Sequence, residues 1–440
     1  MGNRGAIGLA LLIGLIAVVV ACSGSDSGPT GTPTVPVGTF PPSGSPTPVI
    51  TLDPALHDKI PVDHVVVLMQ ENHSFDNYFG QLKKYAPSLD VEAQPDDASN
   101  PDPKGGAPIA AYHETSLCAS SDLNHSWDGT HSEIDGGAMD GFTAANVAPN
   151  DPSGKRAMGY YNETDLPFYY GLFSTFAIGD RYFASVPGPT QPNRFYLYSG
   201  TSFGRTVNGL PPSGDEFSQR TIFNELDESG VSWKIYSSQF AYSSFFAYVR
   251  TNSAAHVSTL ADYYADAAAG KLPNVAFVDP VFIGEEENDE HPPADAQIGQ
   301  KFVSDVIAGL MASPNWASSA MFLEWDEHGG YYDHVAPPAA VPPDDIAPMG
   351  ATEPGQKFDS LGVRVPFALI SPFAKKSYVS HTTYDHTSVL AFIEERFGLD
   401  ALTARDGAAD PMLEMFDFAD APFVTPPTLP EAVIEEARRC

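Results

Sequence analysis

The sequence has little positive charge. Its 440 residues include 23 Lys and Arg against 56 Asp and Glu, which gives a formal net charge of -33. A chain of this charge is repelled at long range by phosphate backbones, so the composition excludes a general nucleic-acid-binding role. A phosphorylated substrate would need local positive charge at its site, and a bound cation is one source of it.

Long apolar runs are also scarce. The uncharged run over residues 5–21 is too short for a membrane-spanning helix and is typical of the core of a signal peptide. The segment that ends in Ala21 and Cys22 resembles a bacterial lipoprotein cleavage site. We therefore predict a signal peptide over residues 1–21, acylation of Cys22 and an exported protein anchored in the cell envelope. The alternative is a plain secretory signal with an incidental Cys22, which predicts a secreted protein.

Cysteine is rare as well, with three in the chain. If Cys22 is acylated, Cys118 and Cys440 remain, and an exported compartment permits a disulfide between them. The sequence leaves that pairing open because nothing in it brings the two residues within bonding distance.

Two segments of different composition follow the signal peptide. Residues 22–52 are rich in Ser, Gly, Thr and Pro, which predicts a disordered tether. Residues 53–440 are predicted to form a single domain, with a loop-rich insertion at about 93–165. No protein partner is indicated.

Apolar runs alternate with helical patterns in this domain. The runs at residues 64–71, 275–278, 321–325 and 365–370 suit buried strands, and the patterns at 259–270, 298–313 and 386–398 suit helices. This alternation predicts an α/β fold with a mostly parallel central sheet sandwiched by helices. Functional groups are then expected outside the carboxyl ends of the strands. Polar residues follow each run, namely Glu71 with Asn72, Asp279, Asp326 with Glu327, and Ser371.

Oxygen ligands are what a hard cation requires, and two of these strand ends provide them. Glu71 and Asn72 lie in ENHSFDNYFG, and the alternative there is that Asn72 or Ser74 only caps a helix. The adjacent acids Asp326 and Glu327 lie in WDEHGGYYDH and are costly to bury unless a cation compensates them. The alternative for that pair is an exposed turn.

Hydroxyl and imidazole groups complete the candidates. Thr190 follows a Pro-Gly-Pro turn and precedes a predicted helix, where phosphate is favoured, although simple N-capping by Thr190 is the alternative. Arg194 is either a phosphate contact or an ion-pair partner. His125 and His291 lie in loops and are candidates for proton transfer. Three further histidines cannot be ranked, namely His328, His334 and His386.

Together these motifs resemble the bacterial phosphoesterase family that contains phospholipases C and acid phosphatases, which is similar in fold to the alkaline phosphatase superfamily. The resemblance covers about residues 64–399 and includes HVVVLMQENHSFDNYFG, SVPGPTQPNRFYLYSGTS and WDEHGGYYDHV. It implies hydrolysis of phosphate esters through a phospho-threonine on Thr190. It also implies one divalent or trivalent metal ion, held by Glu71, Asn72, Thr190, Asp326 and Glu327, with His125 and His291 near the phosphate and the leaving group.

The sequence departs from this family at His73, where members often have Arg, so the contact of that arginine is in doubt here. Phosphomonoesters and phospholipids both stay open as substrates. Loop aromatics could line a phospholipid pocket or only fasten the loops, and they are Tyr160, Tyr161, Phe168, Tyr169 and Tyr170. A second hypothesis, from a different class, is a non-catalytic metal-binding surface lipoprotein.

Overall fold

A computed structural model of the protein describes residues 57–118, 121–209, 217–351 and 355–435. The predicted signal peptide, Cys22 and the tether lie outside the described residues, so these predictions stay predictions. Cys118 is disulfide-bonded. The other two cysteines, Cys22 and Cys440, lie outside the described residues. No helix in the described part of the chain is long and apolar enough to cross a membrane.

An eight-stranded sheet forms the centre of the molecule, in the order β13-β6-β12-β11-β1-β10-β8-β9. Small two-stranded pairings accompany it. The strands are β1 His64–Gln70, β2 Ser99–Asn100, β3 Ile109–Ala110, β4 Tyr112–His113, β5 Gly159–Tyr160, β6 Ala177–Gly179, β7 Tyr182–Phe183, β8 Trp233–Ser237, β9 Val257–Ser258, β10 Val275–Asp279, β11 Ser319–Trp325, β12 Phe367–Ile370, β13 Tyr378–Ser380 and β14 Tyr384–Asp385.

Strand β1 lies in the middle of this sheet because its side chains are apolar on both faces. Val65, Val66, Val67 and Leu68 are buried, and burying such a side chain contributes about 1.5 to 3 kcal/mol. β1 pairs in parallel with both β10 and β11. The predicted mostly parallel central sheet is confirmed.

Strand β12 runs against this direction. It pairs antiparallel with β11, with Met321 opposite Ile370, so it ends where β11 begins. Ser371 therefore lies at the opposite edge of the sheet, where its hydroxyl donates to the carbonyl of Ser319 over 2.8 Å. The prediction that Ser371 joins the functional edge is wrong.

Helices cover both faces of the sheet. Phe322 and Trp325 of β11 point to opposite faces, and Phe322 packs on Phe392 at 4.9 Å between ring centres while Trp325 packs on Tyr169 at 5.4 Å. The predicted sandwich is therefore confirmed. The helices are α1 Phe75–Phe79, α2 Leu82–Tyr85, α3 Trp127–Ile134, α4 Phe142–Ala145, α5 Pro167–Thr175, α6 Thr190–Ser199, α7 Ile222–Glu228, α8 Ala247–His256, α9 Leu260–Ala268, α10 Ala296–Met311 and α11 His386–Phe397.

The segment at about 93–165 contains short helices, short strands and turns. It has a small core of its own, in which Leu123, Met139, Phe142 and Met158 are buried together with Tyr332. This core fastens the segment to the loop that follows β11, at the carboxyl edge of the sheet.

Candidate active site

The ends of β1 and β11 bring four predicted ligands to one edge of the sheet. Gln70 lies opposite Trp325, so Glu71 and Asn72 leave the sheet beside Asp326 and Glu327. The backbone N–H of Asn72 donates to Asp326 Oδ1 over 3.2 Å. All four side chains are buried, and Asp326 and Glu327 are both 0% exposed. The interpretation of the acidic pair as an exposed turn is therefore wrong.

Polar atoms without hydrogen-bond partners mark this edge. Both side-chain amide atoms of Asn72 and Oε1 of Glu327 are buried and have no partner among the described residues. Asn72 has a φ of 63°, in the left-handed region, and the helix-capping role belongs instead to Ser74, which accepts from the N–H of Asn77. Leaving such atoms unpaired costs about 1 to 3 kcal/mol each. A cation bound by the oxygens of Asn72 and Glu327 would remove the cost of these two acceptors, so the residues fit the predicted metal.

Helix α6 begins at Thr190, which is 5% exposed. The N-cap position is Pro189, without a side-chain cap bond, so the structure does not give the simple N-capping role to Thr190. The turn before the helix is held by Asn193, whose amide donates to the carbonyl of Gly188 over 2.8 Å. Thr190 and Arg194 are four residues apart and so lie on the same face of the helix.

The contacts of Arg194 show where this face of α6 points. Its guanidinium is 3.0 Å from Glu71 Oε1 and 3.2 Å from Asp326 Oδ2, and the side chain is fully buried. Burial alone would lower the pKa of Arg194, but the charges of Glu71 and Asp326 outweigh it and raise the pKa. The structure thus gives the ion-pair alternative for Arg194, and its predicted contact with phosphate stays a prediction.

Burial and coupling set the charge states of the acids. Burial and the nearby charge of Glu71 raise the pKa of Asp326, and Arg194 only partly offsets them. Burial would also raise the pKa of Glu327, but the positive charges of His125 and His328 outweigh it and lower the pKa. The pKa values of these two adjacent carboxylates are thus shifted in opposite directions, because their cationic neighbours differ.

His125 and His291 lie beside each other at the same edge. Their ring centres are 6.0 Å apart, and His125 Nε2 is 3.9 Å from Glu327 Oε1. Asp122 lies between the two imidazoles, 3.6 Å from His125 and 3.8 Å from His291. Burial opposes protonation of His125, but Glu327 and Asp122 raise its pKa to about 9. Burial likewise opposes protonation of His291, but Asp122 and Glu71 raise its pKa. Both rings are therefore protonated more readily than a free imidazole, which suits a proton donor.

The three histidines that the sequence left unranked are also held by polar partners. His328 pairs with Glu133 at 2.7 Å, and His334 pairs with Asp76 at 2.7 Å. His386 is hydrogen-bonded to the backbone carbonyl of Asp326 at 2.7 Å. His328 also contacts the predicted ligand Glu327, with Nδ1 3.4 Å from Oε2, so the choice of His125 and His291 as proton donors stays a prediction.

The acidic ligands alone do not form a tight group. Among the described residues, two groups of three acidic or histidine side chains have ligand atoms that all lie within 4.8 Å of one another, and Glu71, Asp326 and Glu327 are not one of them. The two groups are Asp122 with His125 and His291, and Asp76 with Asp333 and His334. A cation shared by the predicted ligands would thus depend on the oxygens of Asn72 and Thr190 as well.

Residues 62–400 match the model of the Phosphoesterase family. The chain belongs to this family. It is 34% identical over 388 residues to non-specific phospholipase C1 of Arabidopsis thaliana, covering 82% of this chain and 72% of that protein. It is 33% identical over 424 residues to phospholipase C B of Mycobacterium tuberculosis, covering 84% and 80%. This phosphoesterase is therefore an enzyme that hydrolyses phosphoric esters.

A solved structure from Vibrio parahaemolyticus, a protein in the alkaline phosphatase superfamily, is 14% identical to this phosphoesterase. The match covers 81% of this chain and 74% of the other, with a TM-score of 0.38.

His73 of this phosphoesterase does not face a ligand site. The ring is buried and stacked on Tyr78 at 4.1 Å and on Tyr331 at 5.1 Å. Its nitrogens are hydrogen-bonded to the side chain of Asn77 and to the carbonyl of Glu290. Burial lowers the pKa of His73 to about 4. His73 therefore connects three segments beneath the candidate active site.

The aromatic residues suggested for a pocket rim are mostly interior. Tyr161, Phe168, Tyr169 and Tyr170 are buried, and Tyr160 is half-buried. The fastening role is therefore the one that the structure gives to these four buried rings.

Two carboxylates of this phosphoesterase were not found from the sequence. Asp122 contacts both candidate proton donors, and Glu290 lies directly before His291. Asp122 precedes His125 by three residues, a spacing that could have drawn attention to it. Glu290 had no such signal, because its partners come from distant segments.

Proposed function

We propose that this enzyme hydrolyses phosphate esters with one metal ion and with Thr190 as its nucleophile. Glu71, Asn72, Asp326 and Glu327 would hold the ion together with the Thr190 hydroxyl. His125 and His291 would protonate the departing oxygen. The reaction would pass through a phospho-threonine, which water then cleaves.

One observation carries this proposal. The helix that begins at Thr190 turns the face of Arg194 towards Glu71 and Asp326, and the neighbouring oxygens of Asn72 and Glu327 have no hydrogen-bond partner. The proposed nucleophile, oxygen ligands and imidazoles would thus share one edge of the sheet. This arrangement meets the needs of phosphoryl transfer, which are a positioned nucleophile, compensated charge and a proton donor.

When bound, the ion supplies a lowered hydroxyl pKa and compensation for the phosphoryl charge. The chain supplies the rest. Thr190 would release its hydroxyl proton to solvent and attack phosphorus, the bond from phosphorus to the ester oxygen would break, and that oxygen would leave with a proton from His125 or His291. A water molecule would then give one proton to that imidazole and attack the phospho-threonine, the bond from phosphorus to the Thr190 oxygen would break, the phosphate product would leave, and the Thr190 oxygen would regain a proton from solvent. Arg194 keeps the carboxylates of Glu71 and Asp326 in place throughout.

We propose phospholipids as the substrate class. The support is that the similar plant and mycobacterial proteins are phospholipases C. Phosphomonoesters are the second candidate. Turnover of p-nitrophenyl phosphorylcholine compared with p-nitrophenyl phosphate separates the two, and hydrolysis of the monoester alone would refute the phospholipase assignment.

An exported, envelope-anchored location is also a proposal. It depends on the apolar run over residues 5–21 and on Cys22, and it places the enzyme close to lipid substrates. Labelling with a radioactive fatty acid tests it, with Cys22→Ser as the unlabelled control.

Replacing the nucleophile tests the proposed chemistry. We expect Thr190→Ala to lower kcat by about a thousandfold or more with an unchanged Tm, because the attacking oxygen is gone. The matched control is Thr221→Ala, which changes a buried threonine at the start of α7. That variant should lose about 1 kcal/mol of stability and keep its kcat.

Metal analysis of the wild type and of Thr190→Ala accompanies these rates. A quenched reaction should yield a phosphorylated peptide that contains Thr190. Wild-type turnover by Thr190→Ala would show that the nucleophile is misassigned. Bound metal without hydrolysis of any ester would support the non-catalytic alternative instead.

A further inference from the structure

We propose that the buried carboxylate of Glu290 is a positioning residue, which holds the His291 loop in register with the strand that carries Asp326 and Glu327. Glu290 touches neither substrate nor predicted ligand, and it acts through His291. This inference rests on the role that the proposed function gives to His291.

The backbone before His291 is bonded to the end of β1. The side chain of Gln70 donates to the carbonyl of Asn288 over 2.9 Å, and the N–H of Glu71 donates to the carbonyl of Asp289 over 2.8 Å. The N–H of His291 donates to the side chain of Asp289 over 3.0 Å. The loop is thus fixed to the strand that supplies Glu71 and Asn72.

Glu290 itself has a backbone conformation that is uncommon for its type. Its φ is 74°, in the left-handed region, where a residue with a side chain is strained. The side chain is fully buried. Such a conformation persists only where the surroundings hold it.

Two neutral donors from other elements hold this side chain. The hydroxyl of Tyr169 donates to Oε1 over 2.5 Å, and Nε1 of Trp325 donates to Oε2 over 2.8 Å. Trp325 is the last residue of β11 and directly precedes Asp326. One carboxylate therefore joins the His291 loop to the strand that leads to the acidic pair.

Helix α10 leaves room for this carboxylate at Gly299. A Cβ at that position would lie 2.1 Å from Cγ of Glu290. Any larger residue at 299 would therefore push Glu290 away from Tyr169 and Trp325. Glycine is required here by close approach and not by its backbone angles, since Gly299 lies within α10.

The consequence concerns the placement of one imidazole. His291 lies 3.8 Å from Asp122 and faces His125, and a shift of about 1 Å in a reacting group can lower a rate about a hundredfold. Loss of a Glu290 hydrogen bond should therefore lower the rate of proton donation by His291, and only that step.

A double-mutant cycle tests the proposal. The variants are Tyr169→Phe, His291→Ala and the pair, assayed in the full-length enzyme with phenyl phosphorylcholine and p-nitrophenyl phosphorylcholine, or with the matching monoesters if only these are hydrolysed. We expect Tyr169→Phe to lower kcat about tenfold with little change in KM, and to lower it by less than about twofold in the His291→Ala background. The loss should be larger for the phenyl ester, because its leaving oxygen is the stronger base and needs the proton more.

Tyr170→Phe is the matched control. It removes a buried hydroxyl from the next residue of the same helix, where the hydroxyl donates to the carbonyl of Tyr161 over 3.0 Å. We expect a similar loss of Tm and unchanged kcat. An equal effect of Tyr169→Phe in both backgrounds, or an equal effect of the two tyrosine changes on kcat, would overturn the positioning role.

Gly299→Ala gives a second route if Tyr169→Phe folds poorly. It should reproduce the leaving-group dependence, whereas Gly309→Ala on the same helix should not. Failure of the proposed function would be recognised by a different result. Wild-type rates for His291→Ala would show that His291 takes no part in the chemistry. A slow His291→Ala variant, combined with the same effect of Tyr169→Phe on kcat in both backgrounds, would refute only the positioning role of Glu290.

Discussion

Two buried ion clusters lie at the carboxyl edge of the sheet, and they differ in completeness. The open cluster consists of Glu71, Asp326 and Arg194 together with the adjacent Glu327, which contacts His125 and His328, and the closed cluster consists of Asp76, Asp333, His334 and Arg364. In the closed cluster every carboxylate oxygen accepts a hydrogen bond. In the open cluster Glu327 Oε1 and Arg194 Nη1 have no hydrogen-bond partner among the described residues.

The difference teaches where chemistry can occur. In a buried ion network that is fully hydrogen-bonded within the protein, no charged atom is left unpaired for a ligand. The role of such a network is to hold segments of the chain together. A network with unpaired buried oxygens is unfavourable until something binds it. Composition does not distinguish the two clusters, since each contains acids and one arginine.

The largest effect is expected from a substitution in the open cluster. Glu327→Gln should lower kcat by about a thousandfold, because a neutral amide replaces a charged oxygen proposed to bind the ion. With a chelator present the Tm should also fall modestly, because the amide no longer carries the charge that compensates His125 and His328. Steady-state kinetics and thermal unfolding measure the two quantities. Turnover near that of the wild type would contradict the assignment of the open cluster as the metal site.

The corresponding change in the closed cluster should act on stability instead. Asp333→Asn weakens the ion pair with Arg364, whose Nε is 3.1 Å away, and leaves a fully buried guanidinium with one acidic partner. We expect the free energy of unfolding to fall by about 3 kcal/mol, with kcat within a few-fold of the wild type. Urea denaturation and initial rates check this. A large loss of kcat at unchanged stability would mean that the two clusters do not differ as described.

The smallest expected effect concerns Glu290, a buried carboxyl group that accepts hydrogen bonds from neutral donors, among them Tyr169 and Trp325. Burial raises the pKa of Glu290 to about 8, although these hydrogen bonds oppose the rise. The folded protein therefore keeps this proton at pH values where the unfolded chain has released it, so stability should fall as pH rises from about 5 to about 8.

Glu290→Gln removes this titration. Urea midpoints for the two proteins should differ in their slope against pH, and the variant should have the flatter profile. Parallel profiles would show that Glu290 is ionised throughout this range in the folded enzyme.

Long, strongly patterned segments were predictable from the sequence. β1, β10, β11 and α10 were predicted because a buried strand or helix of that length has a clear apolar pattern. The ligand residues followed from those strands, since their carboxyl ends meet at one edge. The family was predicted from the motifs at the same positions.

The direction of β12 could not be predicted, because a short apolar run has the same pattern in either direction. The strands β6, β9 and β13 have two or three residues each, too few for any periodic signal. Glu290 bonds to Tyr169, 121 residues away, and Asp122 contacts His291 in a distant loop, and no local pattern records such contacts.

The reversed strand has a consequence for how the enzyme can be divided. Because β12 enters the sheet at the catalytic edge, Arg364 before it reaches Asp76 and Asp333, and the chain returns to that edge at His386, under Asp326. A fragment that stopped short of residue 364 would encode each proposed ligand and both proton donors, yet it would lack the two side chains that fasten their loops. Gene truncation and domain grafting should therefore respect the whole span to the end of α11.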